Sequence, residues 1–233
     1  MEAAHDQVIA DPAIPCRRDH ARPRVLRVAT RLNRELGRHA LDLTIGIRER
    51  GFDTRLVSGG SGPEGDDIDP PPGVAHTYVP WLGHSFKPGD DLRAGAAIAG
   101  VVRRWKPDVV HSHLAKAGAL ARMAAISAGV PVVVHSFHDR VLKEYLSALR
   151  NGAFAKVERR LAARTDALIA VAPWIRDELL SAGIGRPAQW HVVPIEDGCV
   201  RDLAELYAAL LARAEARMPG GGRARVAYGR VPA

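Results

Sequence analysis

The sequence predicts an α/β fold: a doubly wound, mostly parallel Rossmann-like sheet followed by a C-terminal helix. Three observations carry this. Short apolar stretches alternate with helical segments of roughly 10 to 15 residues, which is the rhythm of βαβ units. VVV at 132–134 and LIAVA at 168–172 are apolar at every position, as strands covered on both faces should be. Glycines such as Gly51 and Gly183 close helical segments where a left-handed residue ends the helix.

The elements follow in order. Residues 1–23 are polar, contain three prolines and lack periodicity, and are expected to form a mobile arm. VLRVAT (25–30) reads as a strand, RHALDLTIGIRERG (38–51) as an amphipathic helix, and TRLVSG (54–59) as a second strand. GGSGPEGDDIDPPPG (59–73) has the Gly, Pro and Asp content of a loop. GVAHTYVP gives a third strand and DLRAGAAIAGVVRRW (91–105) a helix. PDVVHSH (107–113) is the fourth strand, followed by the small-residue helix AKAGALARMAAISAG (115–129) and the fifth strand PVVVHSF. A helix over roughly 146–163, the strand DALIAVA (166–172), the helix PWIRDELLSAG (173–183) and the strand QWHVVP (189–194) complete the alternation. DGCVRDLAELYAALLARAEARM then reads as one long helix, with Leu203, Leu206, Tyr207 and Leu210 on one face. The chain thus divides into an arm (1–23), a Rossmann-like lobe (24–194), a C-terminal helix (195–218) and a flexible tail (219–233).

Composition narrows the function. The net charge of +7 over 233 residues is spread along the chain, so no nucleic-acid-binding stripe is expected. The two cysteines, Cys16 and Cys199, stand outside any ligand spacing and fit a reducing compartment. The first residues lack the apolar core of a signal peptide, and no apolar run reaches the roughly 18 residues of a spanning helix. The expected location is therefore the cytoplasm, with the inner membrane face as an extension. Lys143, Arg150, Lys156, Arg159 and Arg160 would face anionic lipid there, against the plainer reading of a solvated face.

In parallel sheets of this kind, ligands bind beyond the carboxyl ends of the strands. That places His111, His113, His135 and His138 on the functional edge. His111 and His113 sit at alternate positions and so face the same way. No carboxylate of suitable spacing joins the histidines, so no metal is expected. Lys116, in the first turn of its helix, could hold a phosphate together with the free backbone N–H groups, and Arg31 and Asn33 lie beside the same edge. A dinucleotide-binding dehydrogenase is disfavoured. TRLNRELG stands where a GxGxxG would be, and Ser58 and Gly59 end the second strand where an acidic residue is needed.

RVLRVATRLN, PDVVHSHLAKAGALARMAA, GVPVVVHSFHDRVL and ERRLAARTDALIAVAPWIRDELLSAGIG resemble the N-terminal domain of family 4 glycosyltransferases, retaining enzymes of the two-lobed GT-B type. The resemblance spans 24 to about 194. It implies an acceptor-side lobe, a nucleotide-sugar donor as co-substrate, a sugar acceptor as partner, and no cofactor or metal. Phe137-His138 matches the family's cleft histidine, with Asp139 in place of the usual glycine. His138 is therefore the implied catalytic residue, with a titration expected near neutral pH. His111, His113, Lys116, Ala117 and Gly118 match the family's HxH-KAG block. On this basis His111, His113 and Asp139 are expected to contact substrate, and Arg31, Asn33, Gly37 and Lys116 the donor.

Two departures stand out. The family's Gly-Gly loop reads NRELGRH here, with only Gly37 left, and no donor-binding lobe follows Pro194. The sequence resembles a full-length enzyme with its second lobe excised, so the chain alone is expected to be inactive. A separately encoded donor lobe or a second copy would complete it. The rival expectation is a non-catalytic acceptor-binding or regulatory module.

Overall fold

The computed structural model describes residues 22–32, 36–59, 70–83, 85, 87–138, 153–195 and 198–217. They form β1 (Arg24–Ala29), α1 (Leu36–Glu49), β2 (Asp53–Gly59), β3 (Ala75–Val79), α2 (Pro88–Trp105), β4 (Val109–His113), α3 (Ala115–Ser127) and β5 (Val132–Phe137). After them come α4 (Ala153–Ala162), β6 (Ala167–Ala170), α5 (Pro173–Ser181), a 3₁₀ turn (Pro187–Gln189), β7 (Trp190–Val192) and α6 (Cys199–Ala216). The seven strands pair in the order β3-β2-β1-β4-β5-β6-β7, every pair parallel. The doubly wound parallel sheet expected from the sequence is the one observed.

Strand pleating sends alternate residues to opposite layers. Leu26 and Val28 of β1, Val110 of β4 and Val133 of β5 pack under α2 and α3, against Ile98, Trp105, Ala121 and Ala125. Val25, Val109, Val132 and Val134 face the other way, against Leu43 and Ile47 of α1 and Leu203, Tyr207, Leu210 and Leu211 of α6. The C-terminal helix is thus part of the core of the lobe.

Local chemistry sets the element ends. Pro88 at the start of α2 lacks only a backbone N–H that the first turn leaves unused, so the helix opens three residues before the expected Asp91. Asp90 and Asp91 in its first turn and Arg103 and Arg104 in its last complement the helix dipole. Gly59 ends β2 where a Cβ would fall 1.7 Å from the Leu82 carbonyl oxygen, so a side chain is excluded. The helix expected over 146–163 is described from Ala153, and 146–152 lie outside the described residues. So do 1–21 and 218–233, most of the expected arm and tail. Among the described residues, no helix is long and apolar enough to cross a membrane.

Candidate functional site

The strand order reverses between β1 and β4, the topological switch point at which such sheets open a crevice at their carboxyl ends. At this switch point lies a cluster of buried polar side chains. Arg27 of β1 stands directly opposite His111 of β4 in the sheet register and is 1% exposed. Its guanidinium reaches three partners: Nη1 lies 3.1 Å from His111 Nδ1 and 2.9 Å from His113 Nε2, and Nη2 lies 3.4 Å from the Tyr207 hydroxyl. That hydroxyl, carried by α6, also bonds His111 Nδ1. His111 Nε2 lies 2.7 Å from Ser136 Oγ on β5.

The cluster continues outward. His113 Nδ1 lies 3.0 Å from His138 Nε2, just past the end of β5. The His138 ring meets His39 of α1 edge to face, with centroids 6.2 Å apart. His138 is 4% exposed, and its Nδ1 has no hydrogen-bond partner among the described residues. Among those residues no carboxylate pairs with Arg27, and no group of three or more His, Cys, Asp or Glu is placed to hold a metal.

Burial dominates the electrostatics, because an imidazolium there would lose its hydration. It holds His111 well below the usual histidine range, with the Arg27 charge adding to the effect. His113 is depressed in the same way by burial, then by His111 and Arg27. For His138, burial, His39 and Arg27 together lower the value to about 3. The expected titration near neutral pH is therefore corrected: His138 is a neutral imidazole throughout the physiological range. His39, half-buried, falls to about 4 by burial and Arg27, with Asp42 opposing.

His135 takes the opposite layer, as its odd–even offset from Ser136 requires. Its Nδ1 lies 2.9 Å from Ser112 Oγ, and its ring fills the space over Gly118, where a Cβ would come within 2.3 Å of it. Arg122 Nη2 donates to both Glu158 carboxylate oxygens, at 2.6 and 2.8 Å, in the same layer, and both side chains are fully buried. The residues expected at the edge thus separate into two sets. His111, His113 and His138 join one cluster, whereas His135 packs against α3.

Arg31 follows β1 and is half-buried, and Gly37 falls in the first turn of α1. Asn33 and Asp139 lie outside the described residues. Lys116 opens α3, but its ammonium is ion-paired with Asp91 of α2 and donates to the Ser85 carbonyl at 2.6 Å. Sequence reasoning missed Arg27, His39, Ser136 and Tyr207. The visible signal was Arg27, a lone charge inside the apolar strand VLRVAT.

This architecture is a doubly wound Rossmann-like lobe with a polar cluster at its switch point. The chain belongs to the glycosyl transferase 4-like domain family, whose match spans residues 34–196. A stretch of 87 residues is 37% identical to an Escherichia coli UDP-Gal:alpha-D-GlcNAc-diphosphoundecaprenol alpha-1,3-galactosyltransferase, covering 37% of this chain and 22% of that protein. Among solved structures, the sucrose-phosphate synthase of Thermosynechococcus elongatus superposes with a TM-score of 0.55 at 12% identity, covering 74% of this chain and 48% of that one. The UDP-GlcNAc 2-epimerase of Neisseria meningitidis superposes at 0.52 with 15% identity, covering 82% of this chain and 53% of the epimerase. At these identities the superpositions establish the fold. The chain spans only about half of the epimerase, and its match covers about a fifth of the galactosyltransferase.

Proposed function

We propose that residues 24–194, with the returning helix of 195–218, form the acceptor-side lobe of a retaining GT-B glycosyltransferase. The transferred sugar comes from a nucleotide-sugar donor. The observation that carries this reading is His138, buried at the switch point with one ring nitrogen committed to His113 and the other without a partner among the described residues. Family membership and the galactosyltransferase relative support the chemistry. In this reading His138 faces the transferred sugar. Arg31, Asn33 and Gly37 border the donor phosphates, and Lys116 reaches them only by exchanging its Asp91 partner. Asp139 borders the acceptor. His111 and His113 are buried with their ring nitrogens bonded within the cluster, so they support His138 from beneath. The reaction requires neither metal nor cofactor.

The grip on the donor diphosphate lies outside residues 24–218, in a second lobe. The relative's diphosphoundecaprenol-linked substrate makes a lipid-linked acceptor the first to try. It also fits a cytoplasmic protein resting on the inner membrane face, with the exposed Lys156, Arg159 and Arg160 of α4 toward anionic lipid.

The test is a binding and transfer assay of the purified chain with diphosphoundecaprenol-linked glycans and a panel of nucleotide sugars. Expected are acceptor binding by the chain alone and transfer only when a donor lobe is supplied, with His138→Ala lowering that transfer by about 100-fold. Transfer by the chain alone would overturn the need for a second lobe. Binding that never leads to transfer would instead identify a non-catalytic acceptor-binding module.

A further inference from the structure

Arginine cannot be deprotonated in a protein and can only donate hydrogen bonds. That constraint runs through the cluster one atom at a time. Arg27 Nη1 donates to His113 Nε2, so this nitrogen carries the lone pair and the neutral His113 ring bears its proton on Nδ1. His113 Nδ1–H therefore donates to His138 Nε2, which must accept. The neutral His138 ring then has its proton on Nδ1, the nitrogen without a partner among the described residues.

The same rule fixes the third ring. His111 Nδ1 accepts from Arg27 and from the Tyr207 hydroxyl, so its Nε2–H donates to Ser136 Oγ. The hydrogen bonds among these side chains fit this one proton arrangement. The groups facing it are Arg27 from β1, His39 from α1, His111 and His113 from β4, Ser136 from β5 and Tyr207 from α6. Of these only Arg27 carries a charge at neutral pH, and its charge opposes a second one on His138.

We propose that Arg27 and His113 are positioning residues for His138, locking it as the neutral Nδ1–H tautomer so that it meets its ligand as a hydrogen-bond donor. A base at this nitrogen is thereby excluded, because a ring N–H nitrogen has no in-plane lone pair with which to take a proton. Only the identity of the ligand atom, an oxygen acceptor on the sugar, rests on the functional reading above. The proton arrangement itself does not.

Long-range ¹H–¹⁵N NMR of the full chain labelled with ¹⁵N-histidine, recorded near pH 7, tests this. The His138 signals are assigned by their loss in His138→Gln. Expected is a protonated Nδ1 and an unprotonated Nε2 on His138. In His113→Phe, which keeps the ring but removes the donor, the Nε2–H form of His138 should appear. Arg27→Gln should also weaken the Nδ1–H signal, since an amide can accept as well as donate and lets His113 turn over. Ile98→Ala, which opens a cavity under α2 on the opposite face of the sheet, should leave the tautomer alone, so a general loss of stability cannot imitate the effect. A protonated Nε2 on His138 in the unaltered chain overturns the proposal whether or not the variants fold. So does an unchanged His138 tautomer in a folded His113→Phe or Arg27→Gln. The spectrum needs neither donor nor acceptor, so failure here is distinct from failure of the transfer reading.

Discussion

Single side chains in this lobe have sharply different roles even where the sequence writes them side by side. Ser136 and His138 complete the Arg27 cluster, while His135 points into the opposite layer beside the Arg122–Glu158 pair. That pair is buried on both sides, and the Arg122 charge is the second cause, after burial, of the low His135 value. Removing the charge of one partner leaves the other uncompensated in a low-dielectric site. Glu158→Gln should therefore destabilise the protein by about 3–5 kcal/mol. A urea midpoint matching the unaltered chain would show that water already relieves Arg122.

At the level of elements, α6 closes the core and also holds the site. Its Leu203, Leu210 and Leu211 cover the same sheet face as Leu43 and Ile47, and its Tyr207 hydroxyl touches both Arg27 and His111. The two contributions are separable. Leu210→Ala opens a cavity and should lower stability by about 2–5 kcal/mol. Tyr207→Phe keeps the packing and loses a hydrogen-bonding group, for about 1 kcal/mol. Chemical denaturation of the two variants checks the order, and the reverse order would mean that the polar contact, not the apolar face, holds α6 in place.

For the molecule as a whole, the buried histidines make stability depend on pH. In the unfolded chain they titrate near about 6.5. In the fold, His111, His113 and His135 lie well below that and His138 at about 3, burial being the main cause each time. Protons therefore bind the unfolded chain first. The stabilisation is fully present above about pH 6.5 and is lost as pH falls toward the folded values, each histidine adding a slope of about 1.4 kcal/mol per pH unit. The urea midpoint should drop steeply between about pH 6.5 and 5. A flat profile across that window would mean that these rings accept protons in the folded state.

Much of this was legible in the linear chain. Alternation of apolar strands with amphipathic helices is a local pattern, and it specified the parallel sheet. The histidines of PDVVHSH and VVVHSF fall at strand ends, so the edge that carries the site could also be read off. The two-residue pleat, a property of any strand, put His111 and His113 on one face.

Only the tertiary structure decided what those histidines meet. Arg27 is 84 residues from His111, and Tyr207 is 96 residues beyond it, separations that no local pattern spans. The strand order brings β1 against β4, and the return of α6 brings Tyr207 over both. Burial then turned His138, expected to titrate near neutrality, into a neutral ring joined to His111 and His113 around one cation. Hydrogen-bond pattern and ring charge depend on which groups share a water-free space, and that is a property of the fold rather than of the order of residues.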